Sequence, residues 1–328
     1  MDLSRILTFA SALVNTGYVP LRSRCNVVIE TSSICNLSCR FCPAGQAHRV
    51  LDRQNRFIPD AWFHRIIELT RGLAEEYILH NFGEAALNPK ICDYMAGLPD
   101  CRFALSSNLN FSARTARQLA AAPNLTVACA LDVLSPDLYA RYRRGGRLET
   151  ALDNLRILLA GTCRVRVILF QNGEKNMARE VYGSDFPEDT QLQARARAFA
   201  REYGIPEQDI LMNRMNSYWQ GMEINPAPHP GRVCDALYFG LYFNSDGYQV
   251  PCCENVGRDL YLRHIEDIRD PADLLNGPPV RAFRRGLHWN KHRYSSCRAC
   301  PGNPYTLNRL RRLLGQAPPL PSRPLSDC

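Results

Sequence analysis

Short apolar runs alternate with amphipathic stretches along most of this chain. The apolar runs are of strand length, and the stretches between them repeat apolar residues at three- and four-residue intervals, which is typical of helices. The predicted strands are residues 26–30, 76–81, 102–107, 125–131, 164–170 and 209–214. The predicted helices are residues 59–72, 89–98, 113–122, 136–143, 148–160 and 190–203. Six strand–helix units in series predict an α/β domain with a parallel sheet, and the pattern leaves an open sheet and a barrel as alternatives.

The pattern changes near residue 225. The segment 225–230 (NPAPHP) is typical of a linker. Beyond it, apolar residues 237–243 and 248–251 flank Asn-Ser-Asp-Gly, a hairpin turn signal, and helical patterns follow at 272–275 and 280–287. We therefore expect a first domain over residues 1–224, a small α+β domain over 225–312 and a proline-rich tail over 313–328.

Composition narrows the function classes. The chain has 328 residues, is 45% hydrophobic and carries a net charge of +8. Its arginine clusters at 141–147 and 309–312 lack a nucleic-acid motif or interleaved aromatics, so they are interpreted as solvated helix faces. Leu3, Ile6, Leu7 and Ala10 follow helical spacing and predict an amphipathic helix packed on the domain. No run approaches a membrane span, so we expect a cytoplasmic protein with neither a nucleic-acid nor a membrane partner.

Fourteen cysteines change the picture, because their clustered spacing indicates metal ligation in a reducing compartment. Cys35, Cys39 and Cys42 follow the first strand in the pattern C-x3-C-x2-C. A cubane held by three thiolates leaves one iron open to a small molecule. The alternatives are a zinc knuckle or buried thiols, but structural zinc usually takes four ligands from two separated pairs. The spacing therefore favours a [4Fe-4S] cluster with one open iron.

The segment CNLSCRFC (35–42) resembles the signature of the radical S-adenosylmethionine (radical SAM) superfamily. The resemblance implies a partial (β/α)6 barrel whose functional loops leave the carboxyl ends of the strands. It also implies SAM bound at the open iron, a reductant such as flavodoxin or ferredoxin, and a 5′-deoxyadenosyl radical that removes a hydrogen atom from substrate.

Several strand ends resemble SAM-contacting motifs of the same superfamily. Phe82-Gly83-Glu84 is similar to its GGE motif, with Phe82 in place of the first glycine. Arg144 precedes a glycine pair and is the predicted partner of the SAM carboxylate. The residues that the resemblance assigns to SAM are Gly83, Glu84, Ser107, Asn108, Asp132 and Arg144. Polar segments at 170–175 and 213–219 follow the fifth and sixth strands, as expected for a substrate with many hydroxyl or amino groups.

A second cysteine set lies in the small domain. Its members are Cys234, Cys252, Cys297 and Cys300. Four thiolates hold either zinc or a fully ligated [4Fe-4S] cluster, and spacing leaves both open. The order resembles the twitch domain, a shortened SPASM domain, which implies a second, auxiliary [4Fe-4S] cluster.

Cys253 adjoins this set and is a passive residue, an alternative ligand or a hydrogen-atom donor. Barrels with a twitch domain resemble aminoglycoside-modifying enzymes, among them neomycin C epimerases and 2-deoxy-scyllo-inosamine dehydrogenases. Cys253 favours an epimerase acting on a carbohydrate-like aminoglycoside, and the alternative is a dehydrogenase that passes an electron to the auxiliary cluster. A peptide-maturing enzyme would need a leader-peptide recognition domain that the pattern does not show, and a non-catalytic scaffold would not need the Gly83-Glu84 strand end.

Overall fold

The computed structural model describes residues 6–8, 10–11, 16–21, 25–39, 42–44, 54, 56–171, 182–183, 186–214, 234, 236–253, 258, 260–289, 293–294 and 297. The predicted linker 225–230, the tail 313–328 and Cys300 lie outside these residues.

Six parallel strands form the centre of the sheet. They are β1 (Cys25–Ile29), β2 (Ala74–Ile78), β3 (Phe103–Ser107), β4 (Leu125–Asp132), β5 (Arg164–Gln171) and β6 (Ile210–Arg214). Each pairs with the next along the chain, so the sheet order runs β6-β5-β4-β3-β2-β1. The predicted α/β class and its parallel sheet are confirmed.

Helices follow the strands as the periodicity predicts. They are α1 (Asp60–Thr70), α2 (Ile91–Ala96), α3 (Ala113–Ala120), α4 (Pro136–Tyr142), α5 (Leu148–Leu159) and α6 (Asp189–Tyr203). Local chemistry sets their ends. The Ser112 hydroxyl accepts from the Thr115 N–H at 3.2 Å and caps α3, whereas α6 ends at Gly204 with φ +65°.

The two faces of the sheet have different neighbours. Val27 and Ile29 of β1 belong to the large core that includes the helices. Side chains alternate along a strand, so Val28 points the other way and packs with Ile78 and Ala104 of the next two strands. We call this side, opposite the helix-covered core, the inner face. Farther along the sheet it carries Ala128, Ala130, Ile168 and Leu211.

The small domain extends the same sheet. β7 (Gly240–Phe243) pairs in parallel with β1, and β8 (Tyr248–Val250) and β9 (Arg263–His264) continue it in antiparallel pairing. The predicted hairpin is present, but 236–239 is a short helix, α7 (Ala236–Phe239), rather than the start of the strand. A four-residue apolar run does not reveal its period, which explains the difference. The chain continues into α8 (Pro271–Asn276) and α9 (Pro278–Trp289).

The amino-terminal helical segment differs from expectation in orientation. Ile6 and Leu7 are 41% and 49% exposed, whereas Thr8 is buried. The prediction that the apolar stripe packs on the domain is therefore wrong for these two residues, because the helix turns the side that carries Thr8 inward. Within the residues described, no helix is long and apolar enough to cross a bilayer.

Candidate active site

The cysteine loop follows β1 and runs past the ends of the neighbouring strands. The Asn36 side chain donates to the carbonyl oxygen of Asn110, after β3, and the Ser38 N–H donates to the carbonyl oxygen of Arg144 at 2.9 Å. The carboxyl ends of parallel strands meet at one edge of a sheet, which is where ligands bind in α/β folds. The loop is thus held over the edge where the sequence predicts chemistry.

The three predicted cluster thiols lie on one loop and are near enough to interact electrostatically. Cys42 and Cys35 both act electrostatically on Cys39, and Cys42 acts on Cys35. Burial raises the pKa of Cys35 to about 11 and that of Cys39 to about 12, and the charge of Arg143 opposes the rise. Soft sulfur donors on one loop fit an iron–sulfur cluster, and a trio leaves one iron open.

Gly83 holds the second strand end against this loop. Its φ is +83°, and a Cβ there would lie 2.4 Å from the Ser32 carbonyl oxygen and 2.9 Å from that of Ile34. The Glu84 N–H then donates to the Ile34 oxygen at 2.8 Å. Glycine is needed here for close approach of two backbones as well as for its positive φ.

Glu84 is buried, and its carboxylate is anchored by main chain. One oxygen accepts from the Ala86 N–H at 3.2 Å and the other from the Asn108 N–H at 2.8 Å. Burial raises the pKa of Glu84, and bonds from Asn108, Ser107 and Ala86 oppose the rise. Glu84 therefore joins the ends of β2 and β3, and its remaining lone pairs are the acceptors it can offer to a ligand.

Asn108 connects the third strand end to the cluster loop. Its amide nitrogen lies 3.1 Å from the Asn36 side-chain oxygen and 3.9 Å from the Cys35 sulfur. Ser107 is buried, and its hydroxyl accepts from the Leu109 N–H at 3.0 Å. Asn108 therefore contacts the cysteine loop, whereas Ser107 lies at the same strand end and hydrogen-bonds to Glu84.

Asp132 ends β4 with φ +66° and is 2% exposed. Its carboxylate accepts from the Arg143 Nε at 2.5 Å. Burial raises the pKa of Asp132, and the Arg143 charge opposes the rise. Arg143 is thus the guanidinium that reaches both the strand end and the thiols, whereas the side chain of Arg144 is exposed and only its carbonyl oxygen contacts the loop.

Sequence reasoning missed two inward-facing residues. Glu30 is fully buried, and its two oxygens accept from the backbone N–H groups of Phe82 at 3.1 Å and Ser245 at 2.9 Å. His80 follows β2, and its Nδ1 accepts from the Ser106 N–H at 2.9 Å. The alternation of side chains along β1 was the available signal for Glu30, because it places that residue on the inner face.

Cys253 belongs to the apolar cluster of the inner face. It is 6% exposed and packs in one cluster with Val28, Ile78 and Ala104 of the first three strands. Its predicted neighbours in the auxiliary set, Cys234, Cys252 and Cys297, are half-buried, and Cys300 is outside the described residues. Within those residues, no three His, Cys, Asp or Glu side chains are grouped closely enough to hold a single metal ion.

Comparisons with known proteins agree with this arrangement. Residues 29–180 match the family described as the radical SAM superfamily, and residues 234–301 match SPASM, an iron–sulfur cluster-binding domain. No curated protein sequence matches the chain.

Similar solved structures share the fold at low identity. Streptococcus suis SuiB bound to its precursor peptide SuiA is 13% identical, with 93% of this chain and 77% of that chain covered and a TM-score of 0.58. SuiB bound to S-adenosylmethionine is 14% identical, with 93% and 78% covered and a TM-score of 0.57. Native anSMEcpe with bound AdoMet is 13% identical, with 84% and 88% covered and a TM-score of 0.54.

Proposed function

We propose that this radical SAM enzyme, which carries a radical SAM domain followed by a SPASM/twitch domain, epimerises a carbon of a carbohydrate-like substrate. The first domain binds a [4Fe-4S] cluster and SAM, and the second binds additional iron–sulfur. Enzymes of this kind act on small molecules or peptides and need a reductant. The proposal concerns the substrate and the fate of its radical.

The proposed ligands of the first cluster are Cys35, Cys39 and Cys42, which the fold groups on one loop. Those of the auxiliary cluster are Cys234, Cys252, Cys297 and Cys300. Gly83, Glu84, Ser107, Asn108 and Asp132 form the SAM-facing rim. We assign the SAM carboxylate to Arg143 instead of Arg144, because Arg143 is the guanidinium near the thiols.

When bound, the cluster and SAM supply a 5′-deoxyadenosyl radical that takes one hydrogen atom from a substrate carbon. The S–H bond of Cys253 then breaks, and the thiol's own hydrogen atom goes to the opposite face of the carbon. The sulfur is left one electron and one proton short, and an external reductant such as flavodoxin or ferredoxin and solvent restore the thiol. Each inversion therefore consumes two electrons, one for SAM cleavage and one for the Cys253 sulfur.

The observation that supports this proposal is the position of Cys253 among inner-face residues of β1, β2 and β3. A cysteine that served only to fill space would be expected as readily in the helix-covered core, where Cys129 lies. An S–H bond is weaker than most C–H bonds, so a thiol on the inner face is suited to donate a hydrogen atom to a carbon radical.

The alternative is a dehydrogenase. In that reaction the substrate radical would lose a proton and an electron. An auxiliary cluster held by Cys234, Cys252, Cys297 and Cys300 would supply the acceptor for that electron, which could then be reused for SAM cleavage. Dehydrogenation therefore needs no net reductant once started, whereas epimerisation does. The half-buried position of Cys252, adjacent to Cys253, is compatible with an electron acceptor close to the same substrate.

The test uses anaerobically reconstituted protein, SAM, a reductant and neomycin C in deuterated water. We expect one deuterium at an inverted carbon, and we expect Cys253→Ala to lose the label and the inversion while still cleaving SAM. Cys92→Ala, on the helix-covered side, is the control and retains both. An oxidised product without solvent deuterium would show that the enzyme is a dehydrogenase and not an epimerase.

The remaining expectations stay proposals. These are the domain limits 1–224, 225–312 and 313–328, the aminoglycoside substrate and a cytoplasmic location. The continuous sheet from β1 to β7 supports close packing of the two domains.

A further inference from the structure

A histidine lies between the apolar cluster that contains Cys253 and the carboxyl edge of the sheet. Val28 pairs with Ile78, and Ile78 pairs with Ala104, and all three belong to the Cys253 cluster. His80 lies two residues beyond Ile78, past the end of β2 and about 6–7 Å farther toward the carboxyl end, where its ring meets the Ser106 N–H of β3.

The hydrogen bond of His80 determines which of its ring nitrogens carries the proton. Its Nδ1 accepts from the Ser106 N–H at 2.9 Å, so a neutral ring must carry its proton on Nε2. Burial lowers the pKa of His80 to about 4, which keeps the ring neutral at physiological pH. His80 is half-buried, and no acceptor for Nε2–H is found among the residues that the structure describes.

We propose that His80 is a substrate-binding residue whose Nε2–H donates a hydrogen bond to a hydroxyl oxygen of a polyhydroxylated substrate at the carboxyl edge of the sheet. The proposal rests on the proposed carbohydrate-like substrate, and it is independent of whether the radical ends in inversion or oxidation. A neutral donor recognises an oxygen lone pair and does not repel the ammonium groups of an aminoglycoside. Glu30 cannot replace His80 in this role, because a carboxylate that accepts from the Phe82 and Ser245 N–H groups is an acceptor and supplies no N–H donor.

A matched pair of variants separates a substrate contact from a structural one. In His80→Asn the side-chain oxygen replaces Nδ1 and keeps the Ser106 bond, but the outer donor is lost. In His80→Gln the amide replaces Nε2 and keeps the outer donor, but the Ser106 bond is lost. A purely structural histidine would tolerate asparagine better than glutamine, and a substrate-binding one would do the reverse.

The experiment is calorimetric titration of neomycin C into the reconstituted, SAM-bound protein. We expect His80→Asn to weaken binding about five- to tenfold, as loss of one hydrogen bond implies, and His80→Gln to stay within about twofold of wild type. Iron content and far-UV circular dichroism check that the clusters and the fold are intact in both variants.

Three results would overturn the proposal. Equal affinity of wild type and His80→Asn would remove His80 from the substrate site and leave the substrate class intact. Equal weakening of neomycin C binding in both variants would mean that the Nε2–H donor does not contact the substrate. If the wild type does not bind neomycin C while SAM cleavage is normal, the aminoglycoside substrate itself is wrong, and His80 loses its ligand with it.

Discussion

The carboxylate of Glu30 accepts a 2.9 Å hydrogen bond from the backbone N–H of Ser245, 215 residues away in the sequence. Its second oxygen accepts from Phe82 N–H in the loop that leads to Glu84. One buried side chain thus connects the end of β1, the loop after β2 and the hairpin of the second domain. This links the strand-end loops that carry the proposed SAM contacts to the domain that carries Cys253.

Replacing Glu30 should destabilise the fold. Glu30→Ala leaves two buried N–H donors without their acceptor, and we expect a loss of about 2–5 kcal/mol in the free energy of unfolding. Glu30→Gln keeps one acceptor oxygen, so it should lose less. Anaerobic urea unfolding followed by circular dichroism measures both. Glu68→Gln, an exposed residue paired with Arg65, is the control and should change the value by less than about 1 kcal/mol.

Gly83→Ala should displace the cysteine loop, because its Cβ would collide with the Ser32 carbonyl oxygen. We expect iron in the first cluster to be lost, which chemical iron analysis and the visible absorbance of the protein would show. Gly204→Ala is the matched control, since Gly204 also has a positive φ but has open space around it. Its cost should be only about 1 kcal/mol of backbone strain, with full iron content. Normal iron in Gly83→Ala would contradict this explanation.

Asp132 and Arg143 should show strong energetic coupling, since their side chains are only 2% and 15% exposed. Arg143→Met leaves a buried carboxylate without its partner and should cost about 3–5 kcal/mol, part of which Asp132→Asn in the same chain recovers. The exposed pair Arg71–Asp100 provides the comparison, and its coupling should stay below about 1 kcal/mol. Additive losses at Asp132 and Arg143 would show that the pair does not act as a unit.

The lowered pKa of His80 predicts a stability that depends on pH. Its pKa is about 4 in the folded protein against 6.5 for the unperturbed residue, so below about pH 6.5 the unfolded chain binds a proton that the folded one does not. Stability contributed by the neutral ring is therefore full above pH 6.5 and is lost as the pH falls toward 4. Between about pH 7.5 and about pH 5.5, wild type should lose about 1 kcal/mol more than His80→Gln in urea unfolding. Parallel curves for the two proteins would show that His80 titrates normally.

Local patterns were sufficient to predict the elements of the fold. The six strands lie within about two or three residues of their predicted positions, because a buried parallel strand is a continuous apolar run. The strand-end rule also placed Glu84, Asn108 and Asp132 at the carboxyl edge of the sheet, where the structure has them, and their contact with SAM stays a prediction. Their actual hydrogen-bond partners were not predictable, because Glu84 bonds to main chain instead of exposing its whole carboxylate.

Long-range contacts explain what the sequence could not reveal. Arg143 and Arg144 are adjacent arginines, and only the geometry at the end of α4 decides that Arg143 turns toward Asp132. Glu30 resembled an ordinary strand end, because its partner Ser245 belongs to a distant hairpin. His80 lay inside a predicted strand, and its role as acceptor from Ser106 depends on the pairing of β2 with β3.

The most direct test of the account is iron content together with reductive SAM cleavage in the anaerobically reconstituted protein. We predict about eight irons per chain and formation of 5′-deoxyadenosine on reduction. A variant with Cys35, Cys39 and Cys42 replaced by alanine should keep about four irons and form no 5′-deoxyadenosine. A wild-type protein that holds only zinc, or that loads iron without cleaving SAM, would contradict the radical mechanism.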